Sequence, residues 1–109
     1  MSTTTVTITL PTARTDGTAL ALTDIASVVL SKASGSNAAD VIDTIDAPFP
    51  SDTITYTDDS PDAGSTDNYS AVVTDVEGNV SAAGTASVVI PPSQLAAPSA
   101  PTLTAVFNP

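Results

Sequence analysis

Apolar and polar residues alternate strictly at the start of the chain, and this period of two limits the structures it can form. In the stretch TTVTITL, Val6, Ile8 and Leu10 alternate with threonines. Such a pattern places the apolar side chains on one face of a β-strand. No stretch repeats apolar residues at the spacing i, i+3, i+4, i+7 over the ten or so positions that a surface helix needs. We therefore predict an all-β chain.

Proline and turn residues divide residues 1–90 into six predicted strands. The strands fall in the stretches TTVTITL, IASVVLSKA, VIDTIDA, SDTITYTDD, NYSAVVTDV and VSAAGTASVVI. A long loop with an Asp16-Gly17 turn separates the first two, and Leu20 and Leu22 are expected to plug the core beneath it. Gly78-Asn79 is suited to positive φ in the turn before the last strand. Six short strands of this kind are typical of a β-sandwich.

Composition excludes several classes of function. The chain has neither cysteine nor histidine, which removes disulfides, the usual zinc ligands and the commonest general acid–base. Only Arg14 and Lys32 oppose twelve acidic residues, so the formal net charge of −10 disfavours a nucleic-acid partner. No apolar run approaches the roughly 20 residues of a membrane-spanning helix. We expect no enzyme activity, no cofactor and no membrane association.

The acidic residues form two groups that could suggest a calcium site. Asp40, Asp43 and Asp46 recur at every third position, and a second group surrounds a loop at positions 58, 59, 62 and 67. Calcium prefers several oxygen ligands, but neither spacing matches a known calcium loop. Aspartates in turns ordinarily accept hydrogen bonds from nearby backbone N–H groups. We therefore expect no metal site.

Two longer segments resemble a fibronectin type III domain, of the divergent kind found in bacteriophage virion proteins and bacterial extracellular proteins. VTITLPTARTDGTALALTDIASVVL resembles its second strand, loop and third strand. NYSAVVTDVEGNVSAAG is similar to the sixth strand and the turn that follows, with Tyr69 at the expected tyrosine. The resemblance implies an immunoglobulin-like β-sandwich, although Ile8 stands where the family usually has a core tryptophan.

The same resemblance implies that the first strand of the sandwich is missing. Too few residues precede VTITL to form it, whereas PSAPTLTAV in the C-terminal segment looks like the proline-led first strand of this family. Residues 91–109, here called the arm, contain no charged residue and five of the nine prolines. An unpaired strand edge invites another segment to add itself as a strand.

Three roles for the arm remain open at this point. It could be donated as a strand to a neighbouring copy, lie as an extended tether on another protein, or fold back onto its own sandwich. Each role makes the arm the contact element, with the edge of the first predicted strand as the recipient if it is donated. The predicted partner-binding residues are Leu95, Pro98, Pro101, Leu103, Val106 and Phe107 in the arm and Val6 and Ile8 in the first strand.

These features, with the resemblance, predict a non-enzymatic structural protein of a tailed-bacteriophage virion. Because the chain opens on Met1 and passes directly into a strand pattern, we expect a complete gene product. A small acidic domain with a docking arm suits a capsid decoration or cement protein, bound in many copies on the head surface. The expected partners are the major capsid protein, other virion proteins and further copies of the chain. The alternatives are a tail, neck or fibre-attachment component and, from another class, a carbohydrate-binding or adhesion module.

Overall fold

The computed structural model describes residues 2–92 and 97–109, and its regular structure is almost entirely β. The only described helix is a single 3-10 turn at Leu22–Asp24. The strands are β1 (Thr4–Thr9), β2 (Ile25–Ser34), β3 (Asp40–Asp46), β4 (Thr53–Asp58), β5 (Thr66–Asp75) and β6 (Gly84–Val89). The prediction of an all-β chain is confirmed.

The strands form two antiparallel sheets. One contains β1 and β4, paired from Thr4 opposite Asp58 to Thr9 opposite Thr53. The other has the order β3-β2-β5-β6, with a bulge between Leu30 and Ser31 where β2 pairs with β3. The larger sheet therefore ends in β3 on one side and β6 on the other.

A small apolar core lies between the two sheets and gives the molecule a sandwich-like architecture. It contains the buried residues Ile8, Leu10, Ile25, Val28, Leu30 and Tyr69. Ile8 comes from the smaller sheet, whereas Val28, Leu30 and Tyr69 come from the larger one, so side chains of both inner faces meet. The alternation in β1 is explained by this arrangement, because Ile8 and Leu10 are buried while the threonines at positions 5, 7 and 9 are exposed.

All six predicted strands are present, with differences at their ends. β6 begins only at Gly84, because Val80, which we placed in the strand, makes a single isolated bridge to Thr74. Leu20 and Leu22 are partly buried against the core, which confirms their role beneath the long loop. In the turn before β6, Gly78 alone has positive φ, at 90°, and Asn79 does not.

The strand directions define two ends of the sandwich. Thr4, where β1 begins, lies opposite Asp58, and the Tyr69 hydroxyl bonds to Asp58, so these residues share one end with Lys32. We call it the Lys32 end. β1 runs away from it, and at the opposite end Arg14 pairs with Asp75. We call this second end the Arg14 end. β6 runs from the Arg14 side towards the Lys32 end, where Val89 lies opposite Thr66.

Residues 97–109 extend from the sandwich without regular secondary structure, and every one of them is exposed. The molecule measures 94 × 28 × 21 Å, and its radius of gyration is 23.1 Å. A compact chain of this length would have a radius of gyration of about 13 Å. Residues 97–109 of the arm therefore lengthen the molecule and contribute no residue to its core.

Candidate functional site

A groove runs along the side of the sandwich where the two sheets do not meet. It has a volume of about 510 Å³ and is lined by β1, β5, β6 and the segment before β6. Val6 and Ile8 form one wall, Ala86 contributes to the other, and Leu30 and Tyr69 line it from the core. The groove therefore opens directly onto the apolar interior, beside an edge of β1 that no described strand pairs with.

The two strands that border the groove are uncharged. β1 (TTVTIT) and β6 (GTASVV) contain no ionisable side chain, and none of the groove-lining residues is charged. The other edge of the larger sheet differs, because β3 has aspartates at positions 40, 43 and 46. Charges on an edge strand discourage pairing with another chain. The edges of β1 and β6 beside the groove therefore lack the charged side chains that protect β3 from pairing with another chain.

Of the residues predicted from sequence, Val6 and Ile8 lie on β1, whose edge away from β4 is paired with no described strand. Ile8 is only 8% exposed and Val6 is half-buried, and both line the groove. The sequence reasoning missed Leu30, Tyr69 and Ala86, which come from distant strands. The only indication from sequence was the expectation that a strand beside β1 is absent, which would expose part of the core.

The predicted contact residues of the arm are solvent-exposed. Leu103 is 92% exposed, Val106 80% and Phe107 86%. Pro98 and Pro101 are exposed as well, and Leu95 lies outside the described residues. The structure does not bring these side chains together with Val6 and Ile8 of the same chain. Contiguous exposed apolar side chains commonly mark an interaction site.

Backbone hydrogen bonds fix the point at which the chain leaves the sandwich. The Ile90 N–H donates to the Ser65 carbonyl at 2.9 Å, and the Gly64 N–H donates to the Ile90 carbonyl at 3.1 Å. Gly64 has a φ of +79°, a conformation that favours glycine. The chain after β6 therefore starts from a defined position at the Lys32 end.

Lys32 connects the two sheets at its end of the sandwich. Its Nζ lies 2.7 Å from Asp58 Oδ2 on β4 and 3.5 Å from Asp67 Oδ2 on β5, and it donates to the Ser60 carbonyl at 2.9 Å. The Tyr69 hydroxyl donates to the same Asp58 oxygen at 2.5 Å. Asp62 completes the group, 3.6 Å from Lys32 Nζ and hydrogen-bonded to Ser34. We call these residues the Lys32 cluster.

The cluster shifts the pKa values of its members in the directions expected for an ion pair. Burial alone would raise the pKa of Asp58, but hydrogen bonds from Lys32 and Tyr69 outweigh it and lower that pKa. Burial alone would lower the pKa of Lys32, whereas Asp58 and Asp67 raise it. Burial and the bond to Asp58 raise the pKa of Tyr69 to about 12. Lys32 and Asp58 are therefore both charged at neutral pH, and Tyr69 remains a hydrogen-bond donor.

Asp75 organises the Arg14 end. Its carboxylate accepts hydrogen bonds from Arg14 at 2.7 Å, from the Glu77 N–H at 2.9 Å and from the Asn79 N–H at 2.8 Å. The Asn79 side chain donates to it as well, at 2.9 Å. The hydrogen bond from Arg14 is the main reason that the pKa of Asp75 lies well below its usual range, and those from Asn79 add to it. The turn before β6 is thereby tied to the long loop after β1.

Replacing Asp75 by Asn should lower the midpoint of thermal unfolding at pH 7, because Arg14 loses its ionic partner. The folded-state pKa of Asp75 is depressed, so its contribution is present above the unfolded value of about 3.9 and is lost as the pH falls further. The difference between wild type and variant should therefore shrink below about pH 4. Thermal unfolding between pH 7 and pH 2 measures this. Asp59→Asn, at an exposed site, is the control, and a difference that does not vary with pH would contradict the assignment.

Three of the aspartates considered as calcium ligands, Asp58, Asp62 and Asp67, have other partners here. Asp58 and Asp67 face the Lys32 ammonium group, and Asp58 also accepts the Ser60 N–H at 3.0 Å, as predicted for an aspartate in a turn. Within residues 2–92 and 97–109, no cluster of three or more acidic side chains has a geometry that could hold a metal ion. In the same residues, no helix has the length and apolar character that crossing a bilayer requires.

Comparison with protein-family models, with curated protein sequences and with solved structures finds no match for the chain. The groove, the exposed residues 97–109 and the two charged ends are therefore the structural features that bear on function.

Proposed function

We propose that the chain is a non-enzymatic structural protein of a tailed-bacteriophage virion, bound to the head surface as a decoration or cement protein. The observation that carries the proposal is the uncharged segment 97–109, which is exposed and presents Leu103, Val106 and Phe107 in the form of a docking element. The proposed partners are the major capsid protein, other virion proteins and further copies of the chain. Because many copies would bind the same shell, the modest affinities of the individual arms would combine into a stronger attachment.

The resemblance to fibronectin type III domains is the reason for placing the chain in a virion. That family has a first strand next to the strand that corresponds to β1, and here this neighbour is absent from the described residues. One fold serves many functions, so the fold alone does not identify the function. The resemblance supports a location in a virion, and the arm supports attachment to a partner. The two parts of the proposal therefore rest on different observations and can fail separately.

A tail, neck or fibre-attachment component is the second candidate. β6 leads the chain out at the Lys32 end and the β1 edge faces the side, an arrangement that suits a series of copies as well as a lattice. A carbohydrate-binding module is less well supported, because such sites use exposed aromatic side chains. Tyr69 is buried, and Phe49 and Tyr56 pack against the core. Of the four aromatic residues, only Phe107 in the arm is largely exposed.

The proposal predicts that the chain is present in virions purified from the phage that encodes it. Quantitative mass spectrometry should give a copy number comparable to that of the major capsid protein for a head protein, and a far lower one for a tail or neck component. Deleting residues 93–109 should abolish incorporation while the sandwich keeps its circular-dichroism spectrum. Absence of the chain from virions would refute the proposed function, and normal incorporation of the deletion variant would refute the role of the arm.

A further inference from the structure

We propose that the groove beside β1 binds residues 102–108 of the arm of a second copy, as an added strand antiparallel to β1. The inference names the partner of the arm, and it rests on the part of the proposed function that makes the arm the contact element. The groove is uncharged and opens onto the apolar core, and the β1 edge offers free backbone groups for pairing.

Strand direction favours a second copy over the same chain. β1 runs from the Lys32 end to the Arg14 end, so an antiparallel partner must enter at the Arg14 end. The arm begins at the Lys32 end of its own sandwich, because β6 runs towards that end and stops there at Val89. It would have to travel back along the sandwich before it could pair antiparallel with its own β1. If it continues straight, it enters the groove of a copy placed beyond the Lys32 end, already in the required direction.

The length of the arm suits the groove. Pro101 and Pro109 enclose the seven residues TLTAVFN, the only part of segment 97–109 in which several consecutive residues can donate backbone hydrogen bonds. β1 has six residues. The centres of the two segments align to within half a residue in two registers, and we choose the one that places Leu103, and not Thr104, opposite Ile8 and Ala105 opposite Val6. Because opposite residues of an antiparallel pair share a face, Leu103, Ala105 and Phe107 then point into the groove.

Charge also favours pairing through these two elements. Two copies, each with a formal net charge of −10, repel one another over most of their surfaces. The arm and the groove are uncharged, so they can meet without burying a carboxylate. Each copy would use its arm as donor and its groove as acceptor, which is a heterologous contact. Such contacts form an open series or, if the rotation between copies closes, a ring.

Two full-length variants separate the donor from the acceptor. Ala86→Glu places a charge on the groove wall and blocks the acceptor, with Val89→Glu as its control at an exposed site on the same strand. Leu103→Asp/Phe107→Asp disables the donor, with Thr102→Asp/Thr104→Asp as its control on the other face of the arm. Burying a charge in the apolar groove should weaken association more than about tenfold. Sedimentation velocity over a concentration series measures the assembly state, and circular dichroism verifies folding.

Wild type and both controls should form oligomers, and each blocked variant alone should be monomeric. An equimolar mixture of the two blocked variants should form only a heterodimer, because one partner retains the arm and the other retains the groove. The inference is overturned if wild type remains monomeric, if either blocked variant still assembles, or if the mixture does not pair. A monomer that still enters virions through its arm would refute the inference and not the proposed function. Assembly as described, by a chain absent from virions, would refute the proposed function and not the inference.

Discussion

Replacing Lys32 by Met is expected to lower the free energy of unfolding by about 3–5 kcal/mol at pH 7, since it leaves charged groups buried without their partner. The Lys32 side chain is 11% exposed, and Asp58 and Asp67 are 9% and 0% exposed. Without the ammonium group, these carboxylates face one another in a poorly solvated site. Chemical denaturation measures the loss, and Lys32→Arg, which keeps the charge, should lose much less.

The same variant should also reverse the response of stability to acid. In wild type the pKa of Asp58 is lowered, so its contribution is present above about pH 4 and is lost as the pH falls below the unfolded value. Without Lys32, its opposing hydrogen bond is lost, and burial raises the pKa of Asp58 in the folded state above the unfolded value. Stability of the variant should then increase from pH 7 to pH 5. A variant as stable as wild type at pH 7, or one with an unchanged response to pH, would contradict the role of the cluster.

Of the two single variants Thr104→Pro and Ala105→Pro, at least one is expected to weaken self-association about tenfold or more. Successive residues of a strand direct their N–H groups to opposite sides, so one of these positions donates to β1 in the proposed pairing. Proline removes the donor and leaves a buried carbonyl unpaired, at a cost of about 1–3 kcal/mol. Sedimentation velocity measures the effect, with Thr104→Ala and Ala105→Ser as the controls.

The proline variants also distinguish strand donation from simple tethering. An extended tether tolerates proline, because the polyproline II conformation has the φ angle that proline imposes. Loss of assembly in a proline variant, with assembly retained in its control, would therefore indicate a hydrogen-bonded strand. Full association of both proline variants would mean that the arm binds only through its side chains.

The strands could be predicted from sequence because their pattern is local. Val6, Ile8 and Leu10 alternate with threonines, which predicts a strand. Gly78 predicts a turn residue with positive φ, and its φ is positive in the structure. The end of β6 was predicted well and its beginning was not. The prediction began the strand at Val80, but the Asp75 turn holds residues 80–83 outside it, with the Ser81 N–H donating to the Val73 carbonyl at 2.8 Å.

The candidate site could be predicted only in part, because most of it depends on contacts between distant residues. The expected absence of a strand beside β1 led to the prediction that Val6 and Ile8 lie at an open edge, and no described strand pairs with that edge. The opposite wall requires the pairing of β5 with β6, which places Tyr69 opposite Ala86. The Lys32 cluster joins residues from β2, β4, β5 and the loop between β4 and β5. The group of acidic residues could be recognised in the sequence, but the position of Lys32 at its centre could not be predicted.

The central claim is that the arm of one copy pairs with β1 of the next, and a disulfide in the double variant Thr7→Cys/Thr104→Cys tests it most directly. The natural chain has no cysteine, so only the introduced pair can react. In the proposed register these positions lie opposite each other, where neighbouring Cβ atoms are about 4.5–5.5 Å apart and modest local adjustment permits a disulfide. On a non-reducing gel, the oxidised protein is predicted to form a ladder of covalent multimers, which Thr7→Cys/Ala105→Cys should not form. A cyclised monomer, or no cross-link, would contradict the account.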